Sequence, residues 1–390
     1  MSGTEMEEVA PSLKLEKLVR ILNDPENAFG HKIDLETLKT VPKTKILSAG
    51  RGYASHVYKI DFEAEDGKCS VVAKIPSSSV ATDELHTNEI AFFEMMKLIP
   101  ESKDMKMPKY FYGQTNPESS FILMEDLTTK AEHSEFCGYF FLNDDQVKEC
   151  ILEICKLQAL TFKAENVDEK IGKLSTLRKI FLAFMDQTLK TVKSMNLPFL
   201  TEERLEKLEK ASKRTAEEKA NSMNLPFLTE ERLEKLEKAS KRTAEEKANV
   251  ATNLNYPLVL IHDDFWAGNL LFCNDGRLCS VIDWQLASMG CFAEDLAALL
   301  GMALNGKTRR AKEDQFLEFY HSELVKLLPK GHPEAEKLIN MSKKDLRAAY
   351  NECQKSAIFR VMMTMNNYIN DTTRPVFEEM LQSIVEDVFG

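Results

Sequence analysis

The sequence predicts an α+β fold in two lobes, a β-rich lobe followed by a mostly helical one. Three observations predict it. Strand-like runs bounded by turn residues are concentrated in the first third of the 390-residue chain. Helical patterning takes over from about residue 145. Short apolar strands return only between about residues 258 and 283, before helices run to the C-terminus.

Taken in order, residues 1–40 read as a helical, peripheral N-terminal extension. Residues 46–76 read as strands: ILSAGRGYASHVYKIDF, a turn at Glu65–Gly67, then CSVVAKI. A helix is expected over about Asp83–Leu98 and a strand over Phe121–Met124. The lobe boundary falls near Glu125–Thr128, giving an N-terminal lobe at 41–127 and a helical lobe at 128–390. In the second lobe, helix is expected from about 145 to 190 and short strands at Leu258–Ile261, Leu270–Phe272 and Ser280–Asp283.

One segment stands apart. Ser194–Asn221 recurs unchanged as Ser222–Asn249, and each copy carries six acidic and six basic residues. Two copies are fewer than a solenoid needs. Each copy reads as a turn at Pro198 or Pro226 and a charged helix whose apolar edge, Leu205 and Leu208 in the first copy, is narrow. The expectation is a tandem duplication carried as an appendage.

Composition sets limits. A hydrophobic fraction of 43% and a charged fraction of 29% are those of a globular protein. The net charge of −11 argues against a surface built for nucleic acid or anionic lipid. The N-terminus, MSGTEMEEVAPSLKLEKL, has no basic region followed by an apolar one, so no signal peptide is expected. No run of about 18 uncharged apolar residues predicts a membrane span. The eight cysteines are scattered, with no CxxC and no zinc spacing, as expected of reduced thiols in a cytoplasmic protein.

The strongest chemical signal is Ile261–Phe272, IHDDFWAGNLLF, which holds His262, Asp264 and Asn269 in the order H-x-D-x-x-x-x-N. Fourteen residues after Asn269, a short apolar strand ends in Asp283, within VIDWQ. Phosphoryl transfer needs a carboxylate at the nucleophilic hydroxyl and hard oxygen ligands for Mg²⁺. Asp264 suits the first task; Asn269 and Asp283 suit the second. His262 is expected to fix the loop through hydrogen bonds. The bland alternative, an Asx-rich turn between strands, does not explain the second acid on its own strand.

The first lobe supplies complementary parts. Ser48–Ser55, SAGRGYAS, is a small-residue loop in which Ser48, Gly50, Gly52 and Ser55 would let backbone N–H groups approach phosphates. It is neither G-x-G-x-x-G nor a Walker A sequence. Lys74, flanked by apolar residues in VVAKI, has the setting of a phosphate-pairing lysine. Glu89, on the next helix, is its expected ion-pair partner, ahead of Glu94. Glu125 and Leu127, in MEDL after a buried strand, would offer backbone groups to adenine.

The whole order of loop, lysine, glutamate, hinge, HxD…N and aspartate resembles the ecdysteroid kinase-like, or CHK kinase-like, family. That family lies within the aminoglycoside phosphotransferase and choline kinase superfamily, which has a protein-kinase-like fold. The most specific stretches are HDDFWAGNLLF, VIDWQ and GCFAEDLAALL. The resemblance implies that Asp264 is the catalytic carboxylate, that Asn269 and Asp283 bind Mg²⁺, and that Lys74 with Glu89 forms the phosphate-side ion pair. It also implies that Asp295 is a helix-start acid supporting the catalytic loop, and that ATP and Mg²⁺ are the cofactors. Where members commonly have glycine, this chain has Asp263, which adds negative charge beside the metal. The five-residue step to Asn269 selects Asp264 as the catalytic group.

A small-molecule alcohol is the expected partner. Protein kinases carry HRD and an activation segment ending in APE. Here no arginine lies between His262 and Asp264, and EDLAALL begins eleven residues after Asp283. No room remains for a peptide platform. A sterol-like alcohol would use an apolar pocket, for which the Met-rich segment Phe359–Tyr368 is available. Choline or ethanolamine is the alternative, with Trp266, Trp284 and nearby acids as walls. A nucleotide-binding pseudokinase is the third reading, and the retained Lys74, Asp264, Asn269 and Asp283 argue against it.

Overall fold

The computed structural model describes residues 8–27, 29–33, 42–47, 55–64, 67–77, 80–116, 119–130, 141–163, 250–368 and 374–389. The duplication at 194–249 lies outside the described residues.

The first lobe begins with a small hairpin, β1 (Glu8–Ala10) and β2 (Leu13–Lys14), and helix α1 (Leu15–Leu22). A five-stranded antiparallel sheet follows. Its strands are β3 (Lys43–Ile46), β4 (Ser55–Ala64), β5 (Gly67–Pro76), β6 (Tyr110–Gln114) and β7 (Phe121–Glu125), in the spatial order β3-β4-β5-β7-β6. Helix α2 (Val80–Lys97) connects β5 to β6.

Strand β5 explains how the lobe is layered. Val71 to Ile75 are all buried, because alternate residues meet different partners. Val71, Ala73 and Ile75 pack with Leu13, Leu18 and Leu22 of the N-terminal segment. Val72 packs on the opposite side with Phe92, Phe93 and Met96 of α2 and with the helical lobe. Lys74 shares the parity of Val72 and therefore points toward α2 and the helical lobe, where it meets Glu89 and Asp283. The N-terminal segment is thus not peripheral: it closes the outer face of a sheet that is apolar on both sides. The sequence reading missed β1, β2 and β6, which are short and weakly alternating.

The second lobe is helical. Helix α3 (Asp144–Leu160) starts with a reciprocal capping box between Asn143 and Gln146. After residue 250 come β8 (Val259–Ile261), β9 (Leu270–Phe272), β10 (Leu278–Val281) and β11 (Ser288–Gly290). They form two antiparallel pairs, β8 with β11 and β9 with β10. Helices α4 (Glu294–Ala303), α5 (Gly306–Leu327), α6 (Pro333–Ile339), α7 (Lys343–Tyr368) and α8 (Arg374–Phe389) complete the lobe. Every residue of α4 is buried, so it is the central helix of the lobe. The architecture is the two-lobed α+β fold that the sequence predicts, with a β-rich first lobe and a mostly helical second one. No helix among the described residues is long and apolar enough to cross a membrane.

Candidate active site

The hairpin β9–β10 sets the geometry of the site. Leu270 pairs with Val281, and the Ile282 N–H donates to the Asn269 carbonyl at 2.9 Å. This register brings Asn269, just before β9, alongside Asp283, just after β10. Gly276, at φ +81, makes the tight turn at the far end.

Asp283 itself is left-handed, with φ 68 and ψ 58, a conformation that aspartate tolerates better than most residues. Its Oδ1 lies 2.5 Å from Lys74 Nζ, and its Oδ2 accepts from Gln285 Nε2 at 3.2 Å. Lys74 also donates to Glu89 Oε2 at 2.6 Å. Burial alone would lower the Lys74 ammonium, but Asp283 and Glu89 outweigh it and raise its pKa. Glu89 Oε1 accepts the Trp284 N–H at 3.2 Å. Asn88, the residue before it, donates to the carbonyls of Gln285 at 2.9 Å and Ala287 at 3.0 Å. Helix α2 is therefore bonded to the segment that carries Asp283.

The residues of the HxD…N segment are held by a second set of bonds. Asp295, in the first turn of α4, accepts the backbone N–H groups of His262 at 2.8 Å and Asp263 at 2.9 Å. Burial raises its carboxyl to about 7. His262 is fully buried. Its Nδ1 accepts the Asp264 N–H at 3.2 Å, which puts the proton on Nε2, facing the Ile282 carbonyl at 3.0 Å. Burial lowers this imidazole to about 4, so it is neutral near pH 7. Its hydrogen bonds are those of a loop-fixing residue. Gly268 lies beneath the Trp266 indole, where a Cβ would come within 2.4 Å of the ring.

Asp264 is partly open, its side chain 23% exposed. Burial, with Asp283 and Asp263 acting in the same sense, raises its carboxyl to about 6 against the opposing pull of Arg360 and Asn269. Asn269 Nδ2 donates to the Asp264 carbonyl at 2.9 Å and to Oδ2 at 2.7 Å. Those bonds use the amide nitrogen and leave the amide oxygen for another partner.

The donor set suits Mg²⁺. Among the described residues no group of three or more His, Cys, Asp or Glu side chains forms a metal cluster. Mg²⁺ held beside a nucleotide does not need one: a carboxylate and an amide oxygen complement phosphate oxygens and waters. Asn269 and Asp283 offer such a pair.

The remaining expected residues stand as follows. Ser48, Gly50 and Gly52 lie outside the described residues; Ser55 is buried at the start of β4. Glu125 ends β7, receives the Lys109 N–H at 3.2 Å and pairs with Lys130. Leu127 is half-buried, and its carbonyl accepts the Lys130 N–H at 3.0 Å. Asp126, between them, fastens the segment to the sheet through Ser70 at 2.6 Å and Lys59 at 2.7 Å. Although burial works the other way, these partners and Thr128 hold its carboxyl down at about 2.

Two residues were missed in the sequence. One is Asn88, hidden beside the more conspicuous Glu89. The other is Arg360 on α7, whose guanidinium contacts Asp263 and Asp264. Its signal was an arginine within an apolar helical run, a residue that needs buried acceptors.

A family model described as the ecdysteroid kinase-like family matches residues 49–331. The chain belongs to that family. The matched residues run from the small-residue loop through the HxD…N segment, Asp283 and Asp295; Arg360 lies beyond them. An uncharacterized kinase-like protein of Caenorhabditis elegans is 34% identical over 70 residues, 18% of this chain and 19% of that relative's length. Two solved structures are similar over most of the ecdysteroid kinase-like chain. The GDP complex of wild-type aminoglycoside 2'-phosphotransferase-IIIa is 14% identical, with 90% of this chain and 94% of that one covered and a TM-score of 0.45. Plasmodium vivax ethanolamine kinase is 11% identical, with 94% and 88% covered and a TM-score of 0.45.

Proposed function

We propose that the protein is an ATP- and Mg²⁺-dependent kinase that phosphorylates a hydroxyl of a small, uncharged alcohol. The observation that carries this reading is the convergence of five side chains from four separate segments. Lys74 from β5, Glu89 from α2 and Asp283 after β10 form one ion-paired group, while Asn269 joins Asp264 beside it. A structural ion-pair network has no need of a half-open carboxylate such as Asp264 at its edge.

In this reading Lys74, oriented by Glu89, holds nucleotide phosphates. Asp283 and the Asn269 amide oxygen hold Mg²⁺, which neutralises charge on those phosphates when bound. Asp264 accepts the proton of the attacking hydroxyl. Its raised pKa, about 6, makes it a stronger base than an ordinary carboxylate while leaving it mostly ionised at pH 7. The Asp264–Asn269 hydrogen bond fixes the carboxylate's orientation.

Uncharged alcohol is favoured over choline or ethanolamine by where the aromatic and acidic residues lie. Trp284 is fully buried and stacked on Phe92, with centroids 4.4 Å apart. Trp266 is 9% exposed. Asp263, Glu294 and Asp295 are buried and engaged inside the lobe. Residues used this way are not free to wall a quaternary amine.

The test is ATP consumption by the purified protein across a panel of sterols, amino alcohols, glycosides and nucleosides, with Asp264→Asn as control. Turnover on a neutral alcohol, absent in the control, is expected. MgATP binding without turnover on any alcohol would establish a pseudokinase instead.

A further inference from the structure

Asp263 is the residue whose presence is hardest to explain locally. It adds a carboxylate next to Asp264, and its backbone is left-handed, with φ 58. Its side chain is 4% exposed, so water does not screen the charge. Glu294, 5% exposed, and Asp295, fully buried, add two more carboxylates from the start of α4. Unbalanced, this cluster would repel both nucleotide phosphates and the ionised form of Asp264.

Among the described residues, one guanidinium answers it. Arg360 reaches in from α7, 97 residues along the chain, with its side chain 13% exposed. One terminal nitrogen donates to the Asp263 backbone carbonyl and the other to Asp263 Oδ1. The first also lies 3.6 Å from Asp264 Oδ1, and the second 3.5 Å from Glu294 Oε1. The fork therefore grips both the main chain and the side chain of the left-handed residue. Only arginine offers two donors in so fixed a plane.

We propose that Arg360 is a positioning residue: by clasping Asp263 it fixes the left-handed turn that holds Asp264 beside Asn269 and balances the charge that Asp263 brings there. Helix α7 is thereby part of the catalytic apparatus, although it lies outside the family match. The inference rests on the reading of Asp264 as the catalytic carboxylate.

The test is a double-mutant cycle on Arg360 and Asp263, read as kcat on the alcohol found by the panel, affinity for MgATP, and melting temperature. Arg360→Met is expected to lower kcat about 10²-fold, as misplacing a catalytic group does, with MgATP affinity changed only a few-fold. Arg360→Lys is expected to fall between, keeping charge but losing the fork. Asp263→Gly removes the charge and suits the left-handed backbone. Placed in the Arg360→Met background, it is expected to restore kcat to near wild type and to recover melting temperature, even where Arg360→Met alone does not fold. The proposal is overturned by wild-type kcat in Arg360→Met, or by a defect that Asp263→Gly leaves unrelieved. If no variant turns over any alcohol, wild type included, the kinase reading fails, and non-additive melting temperatures still decide the clasp.

Discussion

At the residue scale, function concentrates on a few groups whose surroundings differ sharply. Asp264 is half-open and basic for a carboxylate; Asp283 is held in the left-handed region by its hairpin and bonded to Lys74. Asp264→Asn is expected to keep MgATP binding and to lose phosphotransfer by about 10²–10⁴-fold, the usual loss on removing a positioned acid or base. Single-turnover transfer beside a binding titration checks this, and near-wild-type transfer would reassign the catalytic carboxylate. His262 makes a separable prediction about stability. Its folded pKa of about 4 lies below the unfolded value of 6.5, so its contribution is present above pH 6.5 and is lost as pH falls toward 4. The shift corresponds to about 3 kcal/mol at the low end of that window. Asp295, raised by burial, acts in the opposite sense, so the comparison must be between wild type and His262→Gln. Wild type is expected to lose stability relative to the variant between pH 6.5 and 4; a flat difference across that window contradicts the account.

At the scale of elements, the two lobes meet through bonds between α2 and the segment after β10. Asn88 donates to two backbone carbonyls there, and Glu89 receives the Trp284 N–H. Removing the amide leaves two buried carbonyls without their donor. Asn88→Ala is therefore expected to lower stability by about 2–3 kcal/mol and to weaken MgATP binding, because Glu89 and Lys74 lose their alignment with Asp283. Urea unfolding and a nucleotide titration measure both effects, and a stability loss below about 0.5 kcal/mol would remove Asn88 from this role.

The same element shows what was legible in advance. Lys74 and Glu89 could be paired from sequence because a lysine among apolar strand residues has the setting of a phosphate-pairing lysine, and Glu89 lies on the next helix. HxD…N and Asp283 could be linked because their spacing suits a hairpin. Asn88 could not be read, since its partners are backbone carbonyls that leave no trace in residue identity. Arg360 could not be assigned either: its acceptors lie 97 residues away, and no local period specifies a long-range ion pair. The burial of Leu13, Leu18 and Leu22 was missed for a related reason. A short amphipathic helix looks peripheral until a sheet apolar on both faces requires a cover.

On the scale of the whole molecule, the described core joins α2, the four short strands and α3 to α7 in one cluster. The described site residues lie against that cluster and the sheet, and no candidate site residue falls in 194–249. Deleting one copy of the duplication, Ser222–Asn249, leaves Asn221 joined to Val250 in the same local sequence. For a segment carried as a loop, halving its length changes closure entropy by only roughly 0.6 kcal/mol. The shortened protein is expected to fold, with melting temperature and MgATP affinity close to those of the full chain; failure to fold would make the duplication structural.

The central claim is that Asp283, after β10, and Lys74, on β5, form one nucleotide-and-metal site. Calorimetric titration of MgATP into wild type, Asp283→Ala, Asn269→Ala and Asp264→Asn tests it most directly. A carboxylate is a stronger ligand for a hard cation than an amide, so Asp283→Ala is expected to abolish Mg²⁺-dependent binding, more severely than Asn269→Ala, while Asp264→Asn binds like wild type. Unchanged MgATP affinity in Asp283→Ala would contradict the account.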